Sequence, residues 1–261
     1  MYNNLFLDSG AFSADKSGNP IDIDAYMKFI HENKDDISIY ANLDVIGDWP
    51  ATWTNQRIME AEGLTPIPVH HLEDPMKCLD WCLDYDYFAL GGIAGGATTK
   101  DRIRFFDKCW NVICDKDGFP KSKVHGFGMA SPSLIKKYPW YSIDSSSWVT
   151  YGRYGIVILP KVDVNGEYDY FVSPVKVFVS DKSTKKGVDG VHYNTLSENE
   201  KLAFDDYLKF HNLPFGDENT KGVSNDNFWR DLTNYLFFTA MCDQTLDYPW
   251  AWKRPSIKTF F

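Results

Sequence analysis

The chain has 261 residues and a formal net charge of −9; 44% of its residues are hydrophobic and 16% are aromatic. A chain of this length and composition can bury a sizeable core, which excludes a predominantly disordered protein. The net negative charge excludes a protein that binds nucleic acid through its overall charge, although a local basic face remains open.

The sequence has no sign of membrane insertion or secretion. It contains no run of 18 or more apolar residues, and its first ten residues, MYNNLFLDSG, lack a basic segment followed by an apolar one. We therefore expect a soluble cytoplasmic protein without a membrane partner, located in the host cytoplasm if the source is viral. The five cysteines, an odd number without a paired C-x-x-C motif, are expected to be reduced and buried. They are Cys78, Cys82, Cys109, Cys114 and Cys242.

Short apolar strands alternate with helical patterns through the first 146 residues. The predicted strands are NLFLDSG (4–10), ISIYANLDV (37–45), TPIPVHHL (65–72), YFALGGI (87–93), KVHGFGM (123–129) and WYSIDSS (140–146). The predicted helices are DIDAYMKFIHENK (22–34), ATWTNQRIMEAEG (51–63), DPMKCLDWCLDY (74–85), TKDRIRFFDKCWNVICDKDG (99–118) and SPSLIKKYP (131–139). In the first helix, Asp22 is the expected N-cap, and Tyr26, Phe29 and Ile30 are expected to share one face.

Six strand-helix repeats predict an α/β fold with parallel strands, either an open doubly wound sheet or a closed (β/α)₈ barrel. Polar or glycine residues recur where the predicted strands end. They are Asp8, Asp44, His71, Gly91 with Gly92, His125 or Gly126, and Asp144. The number of such ends favours the barrel, because all strand ends of a barrel converge on one mouth. We expect one domain over 1–261, with six core strands in 1–150 and a hairpin with helices in 151–261. The last two barrel strands are not located by pattern.

Five segments, in this order and at these strand ends, resemble motifs of the tRNA-guanine transglycosylase family. LDSGAF (7–12) is similar to D-S-G-G-[FY], NLDV (42–45) to the second aspartate strand, and ALGGIAGG (89–96) to A-L-G-G-L-A-V-G. HGFGMASPSLI (125–135) is similar to M-G-V-G-T-P-E-D-L, and SIDSSSWV (142–149) lies where the family has its nucleophile strand. The resemblance covers roughly residues 5–150 and implies a (β/α)₈ barrel that exchanges guanine for a 7-deazaguanine.

The resemblance is thinner after residue 150. YGRYGIVILPKVDVNGEYDYFVSP (151–174) matches the hairpin after the nucleophile, with Arg153 at its basic stretch, and FWRDLTNYLFFTAM (228–241) resembles the C-terminal helix. The zinc motif that separates these segments in the tRNA enzymes is missing, and LSENEKLAFDDYLKFHNLPFG (196–216), an expected amphipathic helix, lies there instead. We expect no zinc and no other cofactor. Compact zinc-free relatives of this kind are expected among phage-type enzymes that modify DNA.

Cleavage of a bond between guanine and its sugar passes through an oxocarbenium-like state, so one carboxylate can trap the sugar while another group moves protons. The resemblance implies that Asp144 is the nucleophile and Asp8 the acid/base residue. Asp8 could instead cap or close the following turn.

The resemblance implies that guanine is read by Asp44, Gly91, Gly92, Phe12, Ser9, His71 and Gly126. A carboxylate at Asp44 accepts hydrogen bonds from both N1–H and the 2-amino group of guanine. Gly91 and Gly92 let backbone amides approach the ring, and Phe12 supplies a stacking wall. The alternatives are that Asp44 and Asp48 cap a helix, that the glycines form a tight turn, and that Phe12 belongs to the core.

His70 and His71 lie where the family has a glutamine that contacts the base, and we expect His71 to be the one that faces the site. His70 and His71 point to opposite sides of a strand, so only one of them faces the site. A solvated histidine pair, or a metal site that includes Glu73 and Asp74, are the alternatives.

The expected partners are nucleic acid and a free 7-deazaguanine base. Residues 118–190 contain ten Lys or Arg against six Asp or Glu, a net +4, so the remainder carries −13. This segment is either a nucleic-acid surface, with Arg153, Trp148, Lys136 and Lys137 as its expected contacts, or an ordinary solvated surface. The target base must leave its stack to reach a barrel mouth. The alternatives to DNA base exchange are exchange on tRNA, N-glycoside hydrolysis, a non-catalytic nucleic-acid-binding barrel and a metal-dependent barrel hydrolase.

Overall fold

A computed structural model describes residues 5–92, 97–180, 182 and 190–255. The chain divides into two compact units. The first unit covers the described parts of residues 1–129, 138–144 and 248–261. The second unit covers the described parts of residues 130–137 and 145–247.

The first unit contains six short parallel strands. They are β1 (Leu5–Leu7), β2 (Ile37–Tyr40), β3 (Val69–His71), β4 (Tyr87–Gly91), β5 (Lys123–Gly126) and β6 (Ser142–Ile143). β1 pairs with β2, and β3, β4, β5 and β6 pair in chain order, all in parallel. A single parallel bridge between Ala41 and Ile67 joins the two groups just beyond β2 and before β3. The predicted α/β fold with parallel strands is therefore confirmed.

Helices connect these strands, as the sequence predicts. They are α1 (Ala11–Ser17), α2 (Ile23–Glu32), α3 (Trp49–Ala61), a 3-10 helix (Met76–Cys78), α4 (Leu79–Cys82) and α5 (Thr99–Ile113). Asp22 caps α2 through a 2.8 Å bond from the Ala25 amide, which confirms the predicted N-cap. Of the three residues expected to share one face, Tyr26 and Ile30 are buried together with Met27, whereas Phe29 is exposed.

Aromatic side chains connect the first strand with the fifth. Phe6 in β1 stacks on His125 in β5, with ring centroids 4.4 Å apart, and also packs edge-on against Phe127. Side chains from the two-stranded group and from the four-stranded group therefore meet in the interior of this unit.

The other side of the sheet packs against α5. Phe106 and Trp110 of this helix are fully buried and contact the rings of Tyr138 and Trp140 at centroid distances of 5.0–6.1 Å. Cys109 on the same helix is buried, as are the three other cysteines of this unit. The prediction that all five cysteines are buried is wrong only for Cys242, which is exposed; all five are free thiols.

The second unit combines short strands with helices. Its elements are α6 (Pro132–Lys137), α7 (Ser147–Arg153), β7 (Ile156–Leu159), β8 (Lys161–Val162), β9 (Tyr168–Asp169), β10 (Val175–Phe178), β11 (Val191–His192), a 3-10 helix (Tyr193–Thr195), α8 (Glu198–Phe210) and α9 (Asn227–Asp243). β10 pairs antiparallel with β7 and parallel with β11, while β8 and β9 form the expected hairpin. The expectation that Arg153 belongs to this hairpin is wrong, because Arg153 lies in the last turn of α7.

The two helices predicted after residue 150 are confirmed as α8 and α9. α8 begins with a capping box in which Ser197 and Glu200 bond to each other's backbone amides. α9 is held to the neighbouring strand by buried Asn234, which accepts a bond from the Ile158 amide and donates to the Ile156 carbonyl. Across the described residues of the chain, no helix has the length and apolar character needed to cross a membrane.

Candidate active site

Three carboxylates follow strands of the first unit. Asp8 comes directly after β1, Asp44 lies in the loop after β2, and Asp144 comes directly after β6. Desolvation raises the pKa of Asp8, and the charges of Asp44 and Asp144 raise it further, while backbone hydrogen bonds from Gly10 and Ser9 act in the opposite direction. Asp8 therefore lies within electrostatic reach of both Asp44 and Asp144, and it holds its proton more tightly than an ordinary aspartate.

Asp44 is fixed by two side chains. The Ser9 hydroxyl donates to Oδ1 of Asp44 at 2.7 Å, and Nε2 of His71 lies 2.9 Å from Oδ2. Ser9 also accepts the Ala11 amide at the start of α1, so the first turn of that helix orients the serine. Asp44 does not cap α3, since that position is taken by Asp48, which accepts the Ala51 amide. The arrangement holds Asp44 in one orientation at the strand end.

His71 lies between two acidic groups. Its side chain is 5% exposed, its Nε2 contacts Asp44, and its Nδ1 lies 3.6 Å from Oδ2 of Asp74. Burial opposes protonation of this ring, but the hydrogen bonds and charges of Asp44 and Asp74 outweigh burial and raise the pKa of His71 to about 9. His71 is consequently a cation at neutral pH and balances part of the negative charge around Asp44.

His70 faces the opposite side of β3. Its ring stacks on Phe105 of α5 at 5.7 Å and is almost completely buried. Burial lowers its pKa to about 4, against the charge of Asp74, so His70 is neutral at pH 7. The two histidines are therefore buried on different faces, and the alternative of a solvated pair is wrong.

Asp144 is more accessible than Asp44. Its side chain is 49% exposed, compared with 12% for Asp44. Oδ1 of Asp144 accepts the Gly128 amide at 2.8 Å and lies 3.4 Å from Nε2 of buried His125. Both contacts use the same carboxylate oxygen, which leaves Oδ2 free of the contacts that fix Oδ1. A substrate can therefore reach this carboxylate, which lies directly after β6.

A polar chain behind Asp144 is not predicted by the sequence patterns. Nδ1 of His125 lies 2.7 Å from the Ser142 hydroxyl, which lies 2.5 Å from the Tyr87 hydroxyl. The signal that could have revealed it is period-two alternation, since Ala89, His125 and Ser142 pair in register across β4, β5 and β6. Tyr87, two residues before Ala89, points to the same face.

The three glycines of the expected base site differ in their surroundings. A Cβ on Gly91 would lie 3.0 Å from Cδ2 of His71, so Gly91 leaves room for that ring. Gly92 has φ +76°, a conformation that favours glycine, and Gly126 packs against Trp140, which a Cβ would approach to 3.1 Å. The rest of the GGIAGG motif, residues 93–96, lies outside the described residues.

A cavity of about 260 Å³ borders Asp44. Apolar side chains from α1 and from the loops around it line most of it; they include Ala11, Pro20, Ile21, Leu43 and Ile46. Of the three carboxylates, Asp44 alone lines this cavity within the described part of the chain. Phe12 lies on α1 and is partly exposed, and the amine of Lys16 lies 4.1 Å from its ring centroid, so Phe12 is not a core residue.

The expected nucleic-acid contacts all belong to the second unit. Lys136 and Lys137 form the last turn of α6, while Trp148 and Arg153 lie on α7. The Lys136 amine lies 5.2 Å from the ring centroid of Phe171, and Trp148 packs edge-on against Tyr235.

Within the described ranges, no group of three or more His, Cys, Asp or Glu side chains is arranged to hold a metal ion, and this includes the neighbourhood of Glu73 and Asp74.

Comparison of the chain with models of known protein families found no match. No curated protein sequence matched it either.

Proposed function

We propose that this protein is a guanine transglycosylase that exchanges guanine in DNA for a 7-deazaguanine base through a covalent intermediate on Asp144. The observation that supports the proposal is the position of Asp8, Asp44 and Asp144 at three strand ends, where desolvation, together with the charges of Asp44 and Asp144, raises the pKa of Asp8. Glycosidic bond exchange uses a proton donor and a nucleophilic carboxylate, and an aspartate with a raised pKa near a second carboxylate is suited to these two roles.

The two catalytic carboxylates divide the work. Asp144, whose side chain is 49% exposed, attacks C1′ of the nucleotide, and Asp8, whose pKa is raised, gives its proton to the departing guanine. When the replacement base arrives, the Asp8 carboxylate takes its proton and the sugar is transferred from Asp144 to the new base. No free water is needed in either half of the exchange.

Asp44 is suited to reading the Watson–Crick edge of guanine. Each oxygen of a carboxylate can accept about two hydrogen bonds. Ser9 uses one position on Oδ1 and His71 uses one on Oδ2, which leaves one on each oxygen for N1–H and the 2-amino group. Adenine lacks this pair of donors, so its entry would leave Asp44 underbonded at a cost of about 1–3 kcal/mol. The backbone around Gly91 and Gly92, with Gly126, is proposed to complete the base site.

The proposed architecture is a (β/α)₈-type barrel. Six parallel strands in chain order, their polar carboxyl ends and the contact between Phe6 and His125 support it. In such a barrel Asp8, Asp44, His71 and Asp144 share one mouth, where the base enters after leaving its stack.

The test is incorporation of a labelled base. Labelled 7-cyano-7-deazaguanine is incubated with the protein and, in parallel, with duplex DNA, single-stranded DNA and tRNA, and the label in each polymer is counted. We expect label in DNA. Label in tRNA alone would move the assignment to tRNA-guanine exchange, and label in none of the three would overturn the proposal.

A matched pair of variants tests the nucleophile. Asp144→Asn keeps the size of the side chain and an oxygen for the Gly128 amide but removes the attacking carboxylate, so incorporation and the covalent adduct should both be lost while nucleic-acid binding persists. Asp35→Asn, at an exposed position, makes the same charge change and should have no effect. If Asp144→Asn leaves incorporation unchanged, Asp144 is not the nucleophile. A chain in which neither wild type nor variant forms an adduct, although both bind nucleic acid, would be a non-catalytic binding protein.

Hydrolysis of the same bond is the second candidate. The 49% exposure of the Asp144 side chain favours it, because water can reach an ester formed there. A hydrolase would release guanine and leave an abasic site in the absence of any free base. A transglycosylase should release guanine in stoichiometric amounts only when a replacement base is supplied.

A further inference from the structure

The polar chain behind Asp144 consists of three side chains in series. Tyr87 and Ser142 meet through hydroxyl groups, Ser142 meets Nδ1 of His125, and Nε2 of His125 faces Oδ1 of Asp144 at 3.4 Å. Among the described residues, Nε2 of His125 is a buried atom without a hydrogen bond of good geometry, although a carboxylate oxygen lies next to it. Buried polar atoms are normally hydrogen-bonded, so whether Nε2 carries a proton decides whether it can donate to the Asp144 oxygen beside it.

The packing around His125 allows little freedom. Its side chain is 3% exposed, and its ring is held between Phe6, stacked at 4.4 Å, and Phe127, edge-on at 4.6 Å. The ring therefore cannot turn away from Asp144 without moving two aromatic side chains. Its two nitrogens keep their separate neighbours, Ser142 on one side and Asp144 on the other.

We propose that His125 is a positioning residue for Asp144, in the neutral form that carries its proton on Nε2. In this arrangement the Tyr87 hydroxyl donates to Ser142, the Ser142 hydroxyl donates to Nδ1 of His125, and Nε2–H of His125 points at Oδ1 of Asp144. Oδ1 then faces two donors, the Gly128 amide and His125, and Oδ2 is the oxygen that attacks. The consequence for catalysis rests on the proposed function; the proton arrangement does not.

The exchange then runs through Oδ2 in both directions. A lone pair of Oδ2 forms the bond to C1′ while the C1′–N9 bond breaks, its electron pair stays on guanine, and a ring nitrogen of guanine takes the Asp8 proton. In the second half Asp8 takes the N9 proton of the new base, N9 bonds to C1′, and the C1′–Oδ2 electron pair returns to Asp144. The donors on Oδ1 hold the carboxylate in line for attack and stabilise its charge when it leaves.

The proton arrangement is tested without any activity assay. Two-bond correlation spectra of protein labelled with ¹⁵N-histidine report which ring nitrogen carries the proton, and the signal of His125 is identified by its loss in His125→Gln. We expect a proton on Nε2 and none on Nδ1. A proton on Nδ1, in the other neutral form or in the imidazolium, would overturn the proposal even if the protein exchanges guanine as proposed.

Two variants test the consequence for catalysis. His125→Gln places an amide N–H near the position of Nε2, whereas His125→Asn places its amide near Nδ1 and cannot reach Asp144. We expect kcat to fall up to about 100-fold in His125→Asn with KM for the free base unchanged, and to recover in large part in His125→Gln. Both variants are compared by their unfolding midpoints, so that a loss of fold is recognised.

The outcomes separate the two proposals. An inactive wild type would refute the exchange function and leave the proton arrangement to the spectra. An active wild type with equal kcat in both folded variants would refute the positioning role of His125. If only His125→Asn unfolds, Ser142→Ala takes its place: it should lower kcat in the same direction by releasing Nδ1, and an unchanged kcat would refute the role.

Discussion

Nε2 of His71 lies 2.9 Å from Oδ2 of Asp44, and this contact joins the ends of β2 and β3 through a buried cation and a carboxylate. Asp74 adds a second carboxylate on the other ring nitrogen, at 3.6 Å. Because the histidine is buried with two acids, its charge contributes both to the stability of the fold and to the orientation of the proposed guanine reader.

The raised pKa of His71 predicts a stability that falls at alkaline pH. Below about pH 6.5 the ring is protonated in the folded and the unfolded chain, so its contribution is fully present. Between pH 6.5 and about 9 the unfolded chain loses the proton first, and the contribution declines as pH rises. We expect up to about 3 kcal/mol of unfolding free energy to be lost over this interval. His71→Gln should flatten the profile, measured by denaturant unfolding at each pH.

The control for this profile is His31→Gln, a substitution at an exposed position of α2. This variant should keep the alkaline decline of the wild type. A wild-type profile without any decline up to pH 9 would show that His71 is not charged in the folded chain.

The raised pKa of Asp8 predicts that this residue lowers the stability of the fold at neutral pH, although the proposed exchange needs it. Desolvation and the charges of Asp44 and Asp144 raise its pKa, so ionisation of Asp8 in the folded chain costs free energy that the unfolded chain does not spend. This cost is absent below the unfolded pKa and appears as pH rises through the raised pKa of the folded state. Asp8→Asn should therefore raise the unfolding midpoint at neutral pH while lowering base exchange by about 10²- to 10⁴-fold. A lower unfolding midpoint, or unchanged base exchange, would contradict the assignment of Asp8 as a catalytic acid with a raised pKa.

The polymer-binding prediction concerns the end of α6. If Lys136 and Lys137 each neutralise a phosphate, the double variant Lys136→Gln/Lys137→Gln should weaken binding to all DNA sequences alike. The slope of log K against log salt should become shallower by about 0.9 per lost contact on duplex DNA. Binding is measured by fluorescence anisotropy at several salt concentrations, with Lys28→Gln, an exposed lysine of α2, as control. An unchanged slope would mean that these two lysines form an ordinary solvated surface.

The positions of the strand ends could be predicted from the sequence, because each depends on a local change from apolar to polar residues. Asp8, Asp44 and Asp144 all follow a strand, and His70 and His71 alternate across β3 as period two requires. The chain Tyr87–Ser142–His125 could not be predicted in this way. It depends on the register of three strands, and a slip of one residue would turn each side chain to the other face.

The wrong predictions share a cause. Helical periodicity indicates that α2 has a buried face, but it does not show which neighbouring elements pack against that face. In the structure this face includes Ile30 and Met27, whereas Phe29 is exposed. Cys242 lies on α9, yet its side chain is exposed. Arg153 follows a serine-rich segment that was expected to run straight into a hairpin, whereas α7 forms first. Tertiary neighbours decided all three positions.

Two glycines at ends of adjacent strands provide a test of what holds His71 in place. Gly91→Ala would put a Cβ 3.0 Å from Cδ2 of His71, so the ring must shift and its contact with Asp44 must lengthen. Gly126→Ala would crowd Trp140 at 3.1 Å instead, in the packing against α5. Both should cost about 1–3 kcal/mol of stability through overpacking. Only Gly91→Ala should lower the pKa of His71, measured by NMR titration of its ring, because only there does the added methyl group separate the cation from its carboxylate. Equal titration of His71 in the two variants would show that Gly91 has no special part in holding the ring.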